Sequence, residues 1–135
     1  MPVINQPLNN SYYVAKASVL LASATVPYGN IAMQVSGKIR PALTGVSGSK
    51  LLGMSLQSLA ETTGSDVTLT QPAVFARGLT VYLDAKSGDE PVAANLGGPV
   101  ALDTGAQVKA TVASDDLTLT MVDLRADGKI GVYIP

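Results

Sequence analysis

The stretch Ala106-Gln107-Val108-Lys109-Ala110-Thr111-Val112, followed by Leu117-Thr118-Leu119-Thr120-Met121, alternates apolar and polar residues with a period of two. Successive side chains of a strand point to opposite faces of a sheet. Val108, Val112, Leu117 and Leu119 are therefore expected to share one core, with Gln107, Lys109 and Thr111 facing away. Ser114-Asp115-Asp116 reads as the turn between them, so residues 106–122 are expected to form an antiparallel hairpin.

The same period extends outward in both directions. Toward the C-terminus, Asp127-Gly128 makes a turn into Ile130, Val132 and Ile134. Toward the N-terminus, Leu79, Val81 and Leu83 alternate with Thr80 and Tyr82, and Val67 and Leu69 alternate with Thr68 and Thr70. Leu52, Met54 and Leu56 mark another strand, and so do Ile31, Met33 and Val35. Ser36-Gly37 turns the latter into Lys38-Ile39-Arg40, and Pro41, lacking an N–H, belongs at an edge or a bulge. Residues 44–50 read as a loop. Residues 84–99 read as a long connection with one helical turn near residues 92–95. Residues 11–26 fit two readings: Tyr13, Ala17, Leu20 and Ala24 could line a helix face, whereas Val14, Val19, Thr25 and Val26 suit a strand, which is the preferred reading.

The fold class expected from this pattern is mainly β: a small antiparallel barrel or sandwich of seven to nine short strands. Residues 11–135 form one β-rich domain, with residues 84–135 as a candidate added lobe. Residues 1–10 hold two prolines, three asparagines and a glutamine, and read either as a frayed terminus or as an extended arm that docks on a partner. In the second case Val3, Ile4 and Leu8 are the partner-binding residues, being the apolar groups a partner could bury.

Composition excludes much chemistry. The 135 residues contain no Cys, His or Trp, so disulfides, thiolate metal sites and imidazole catalysis are impossible. With 9 basic and 10 acidic residues the chain has no field to draw a phosphate backbone, and no nucleic-acid partner is expected. The most apolar stretch, residues 19–26, is too short to cross a bilayer, so no membrane partner is expected either. The start has no basic region followed by an apolar run, and the chain reads as soluble and used where it is made.

The carboxylates are Glu61, Glu90 and aspartates that nearly all sit within three residues of a Gly or Ser, in expected turns: Asp66, Asp84, Asp89, Asp103, Asp115, Asp116 and Asp127. Local turn chemistry accounts for them, since an Asp side chain bonds its own following backbone. Residues 123–128 open like a calcium loop. However, Arg125 stands where an oxygen ligand is needed and Ile134 where the closing Glu belongs. Residues 45–50 are Gly-rich and end in Lys but miss the phosphate-loop spacing. No enzyme activity and no cofactor or metal are expected.

Residues 37–42, Gly-Lys-Ile-Arg-Pro-Ala, lead through a Gly-containing loop to Leu52-Gly53-Met54-Ser55-Leu56. Next come Gly64-Ser65-Asp66-Val67-Thr68-Leu69 and an apolar segment over residues 75–81. This order resembles the small head-decoration (capsid cement) proteins of tailed bacteriophages, over residues 22–83. The resemblance implies a virion protein made in the host cytoplasm and placed on the outer surface of the mature capsid, where it bridges and stabilises major capsid subunits. It also implies a homo-oligomer, a trimer before a dimer. Other virion β-proteins (tail, baseplate or head-fibre base) and a ligand-binding β-module share the compositional features. Residues 84–135 have no counterpart in the smallest members.

Overall fold

The computed structural model describes residues 13–135, and the candidate arm with Val3, Ile4 and Leu8 lies outside them. The fold is mainly β, as the alternation predicts. The strands form two small closed barrels where one barrel or sandwich is expected.

The first barrel contains β1 (Tyr13–Leu20), β3 (Ile31–Val35), β4 (Lys38–Pro41), β5 (Ser49–Ser55) and β7 (Val67–Arg77). Its closed order is β1-β4-β3-β5-β7. A two-stranded ribbon of β2 (Thr25–Val26) and β6 (Leu59–Ala60) covers one side. The second barrel contains β8 (Leu79–Ala85), β9 (Pro99–Leu102), β10 (Gln107–Lys109), β11 (Thr118–Leu124) and β12 (Ile130–Ile134). Its closed order is β10-β8-β12-β11-β9, and a 3₁₀ turn at Ala93–Asn95 lies in the long connection after β8.

The two barrels have the same topology. In each, the first strand pairs in parallel with the third and antiparallel with the fifth. The second strand pairs with the third and the fourth, and the fourth with the fifth. The register agrees too. Leu21 N–H donates to Ile39 O in one barrel, and Lys86 N–H to Val108 O in the other. Ile39 faces Gln34 across its pair, and Val108 faces Leu102. Interior positions correspond in the same way once the bulge after Ala17 in β1 is allowed for: Ala17 with Leu83, Phe75 with Val132. No repeat is visible in the sequence because these positions share only apolar character.

Several sequence expectations are corrected. Residues 106–122 are not a hairpin. β9 lies between β10 and β11, pairing with both, and β10 also runs parallel to β8. Val108 and Leu119 are buried in one core and Leu117 packs against it, but Val112 is 42% exposed. The alternation reports which side of a strand is buried and says nothing about which strand is its neighbour. The apolar segment over residues 75–81 is two strands, broken by Gly78 in the left-handed region at φ 76°. Residues 11–26 follow the strand reading from Tyr13 on.

Leu52 and Met54 do not share a core. A bulge opposite Ala32 and Met33 inserts an extra residue in β5. Leu52 then joins the first core, while Leu51 and Met54 pack against the second. Gly53 within this bulge has φ 138°, and a Cβ there would run into Ala76 O, so only glycine fits.

The barrels are fused rather than strung. The core cluster of the second barrel includes Ile31 and Ala42 of the first, with Leu51 and Met54 packed against it. Ile31 N–H donates to Gly105 O at 2.8 Å and Thr44 N–H to Asp103 O at 3.0 Å. Leu43 bridges Thr104. Gly78 alone joins β7 to β8, and its N–H is held by Ile134 O.

Candidate interaction surface

The carboxylates do more than shape local turns. Asp116, whose side chain is fully buried, lies in the connection before β11 and reaches into the first barrel. Its Oδ1 accepts from Thr44 Oγ1 at 2.8 Å and from Gly45 N–H at 2.9 Å, and its Oδ2 accepts from Ala113 N–H at 2.9 Å. Lys109 Nζ stands 3.2 Å from the same carboxylate. Burial alone would raise this carboxyl, but the hydrogen bonds from Ala113, Thr44, Gly45 and Lys109 outweigh it and bring the pKa down to about 2. Glu61 ties loops of the first barrel in a similar way. N–H groups of Ser23, Thr63 and Gly64 and the Thr63 hydroxyl all donate to it. Led by the Ser23 bond, these lower its pKa to about 2. Asp66 accepts from Ala22 N–H and pairs with Lys38 at 2.7 Å. These three are long-range fasteners, which their place in turn-like sequence does not reveal.

Among the described residues no three His, Cys, Asp or Glu side chains gather as metal ligands. Asp127 closes the turn between β11 and β12, accepting from Lys129 N–H, while Arg125 pairs with it at 2.6 Å. The Gly-rich loop at residues 44–48 borders a cleft of about 240 Å³ at the open end of the first barrel, lined by Gln34, Ser36, Gly37, Gly48 and Lys50. Gln34 pairs with the core residue Ile39, and Lys50 with Gln34, so both stand on the interior face at the barrel mouth.

The most developed exposed surface is the outer face of β8, β12 and β11. Tyr82 and Tyr133 are diagonal neighbours there, 39% and 42% exposed, beside Thr80, Thr118, Thr120 and Val122. Spread in sequence, the tyrosines give no hint of one surface; the register assembles it. Tyr82 is fixed. Its hydroxyl donates to Asp123 Oδ2 at 2.6 Å, which with partial desolvation raises the phenol pKa. Its ring lies over Gly131, where a Cβ would stand 2.9 Å from Cε1, and the Arg125 guanidinium sits 5.0 Å from the ring centroid. Tyr82 is therefore held at three points, its hydroxyl by Asp123 and its ring against Gly131 and Arg125. The charges around it are paired internally, Arg125 with Asp127 and Lys129 with Asp84. What remains is an exposed face with its charges paired, on which Tyr82 and Tyr133 are of the residue type that protein contacts favour. No family model matches this chain, and neither a curated protein nor a solved structure matches it.

Proposed function

We propose that the protein is a structural virion component that binds the outside of a mature phage capsid and stabilises it by bridging major capsid subunits. The observation that carries this reading is where the decoration-protein resemblance falls. Residues 37–42, 52–56 and 64–69 belong to β4, β5 and β7 and the turns that join them, within one closed barrel. These three segments thus lie in a single folded unit, while the fourth, residues 75–81, runs from the end of β7 across Gly78 into β8 of the second barrel.

The rest of the proposal is binding without catalysis. A ligand that binds only the expanded shell stabilises that shell by mass action. A closed-barrel body suits this role, because its hydrogen-bonded backbone is already ordered before the contact forms. The protein acts as a homo-oligomer, and Val3, Ile4 and Leu8 add contacts to the shell. The test is to add purified protein to expanded shells stripped of it and to unexpanded precursors. Binding to expanded shells alone, with a raised heat-disruption temperature, is the expected result; no binding to expanded shells overturns the proposal. A chain lacking residues 1–10 should fold normally but bind more weakly.

A further inference from the structure

The two barrels meet through unlike surfaces. The first contributes Ile31, Leu51 and Met54 from β3 and β5. The second contributes its mouth, the end that carries Leu102, Leu117 and the turn from Asp103 to Gly105. Such a contact is heterologous, and a heterologous contact can repeat from copy to copy. Because the barrels share topology and register, each also owns the half that the other uses.

Both free halves have changed chemistry. At the mouth of the first barrel, the register places Gln34 where the second has Leu102, and Lys50 where it has Leu117. Ser49 stands in the position of Asp116. On the outer face of the second barrel, Pro99 stands in the position of Ile31, Thr118 in that of Leu51 and Thr120 in that of Met54. All three are exposed.

We infer that the mouth of the first barrel and the outer face of the second are the two halves of a head-to-tail contact between copies of this chain, held apart by Gln34, Lys50, Pro99, Thr118 and Thr120. Each side chain blocks for a physical reason. Pro99 lacks the N–H that Ile31 gives to Gly105 O. Thr118 and Thr120 would bury hydroxyls where Leu51 and Met54 present carbon. Lys50 would bury an ammonium without a partner. Ser49 cannot supply the carboxylate that grips Thr44 and Gly45. The cleft at the first mouth is the same socket, left unfilled. Tandem arrays end in the same way, with polar residues on the outer faces of their terminal repeats. This goes beyond the capsid proposal and does not depend on it.

The test uses full-length chains. A mouth variant carries Gln34→Leu and Lys50→Leu; a face variant carries Pro99→Ile, Thr118→Leu and Thr120→Met. Circular dichroism checks folding, and light scattering gives molar mass. Each variant alone should have the wild-type mass. An equimolar mixture should at least double it, and a chain with all five changes should grow with concentration. If the face variant does not fold, Thr120→Met alone serves in its place, with a weaker rise expected on mixing. Folded variants that mix with no change in mass overturn the inference, as does either variant associating with itself alone.

Discussion

Thr44 of the first barrel donates its hydroxyl hydrogen to Asp116 of the second across 2.8 Å, and Lys109 Nζ contacts both groups. The carboxylate is fully buried and the lysine 13% exposed, so removing the acid strands a cation between the barrels. Asp116→Ala is expected to cost about 3 kcal/mol and lower the melting temperature by roughly 10 °C. Thermal denaturation at pH 7 checks this; a fall within 2 °C would show that the clamp contributes little.

Asp116 and Glu61 also set an acid limit. Their folded-state pKa values, about 2, lie below the ordinary 3.8 and 4.5. A depressed pKa means the folded state favours the ionised form. The contribution is therefore complete above the unfolded values and is lost as pH falls through about 2. Stability should be level from neutral pH to about pH 5 and decline steadily from pH 4 to 2. In Asp116→Asn the decline should be shallower. Urea unfolding across this range gives the slope.

Gly53→Ala should be among the most damaging small substitutions in the chain. The new methyl meets backbone, which cannot swing aside, and φ 138° suits only glycine. A loss of about 3 kcal/mol or more is expected, read from the urea midpoint. A near-neutral result would mean that β5 does not pass so close to β7.

Val108 and Val112 separate the observed topology from the expected hairpin. Val108→Asp places a charge in the second core and should cost about 3 kcal/mol or more. Val112→Asp, on an exposed segment beyond β10, should cost about 0.5 kcal/mol or less. A hairpin with both residues facing one core would make the losses equal.

Tyr82→Ala should uncover the backbone at Gly131 and release Asp123 and Arg125 together. A loss of about 1–2 kcal/mol is expected. Tyr133→Ser, on the same face but covering no glycine, should cost about 0.5 kcal/mol or less. Similar losses would show that the Tyr82 cover is idle.

The strands were legible because half-burial imposes a period of two, and Leu79, Val81 and Leu83 keep it without interruption. The 3₁₀ turn also falls inside the segment where Gly and Pro break the period. Neighbour relations were not legible. Nothing local tells Val108 that its cross-strand partner is Leu102, and not Leu117, nor that Asp116 reaches Thr44. Bulges defeat alternation as well: one extra residue in β5 sends Leu52 and Met54 to different cores. The outer face of the second barrel left one trace, Gly131 in an outward strand position between Ile130 and Val132. A glycine there signals a side chain crossing over it.

The seam between the barrels has a consequence for synthesis. Every strand of the first barrel has left the ribosome once Arg77 has emerged, yet the cover for Ile31, Ala42, Leu51 and Met54 comes from β8–β12, and Pro135 O itself receives the Arg77 Nε–H. At ~10 residues per second, the nascent chain shows this apolar face for several seconds, until β12 has emerged. Messages cut short anywhere in the second barrel would leave it permanently bare, a substrate for chaperones and proteases.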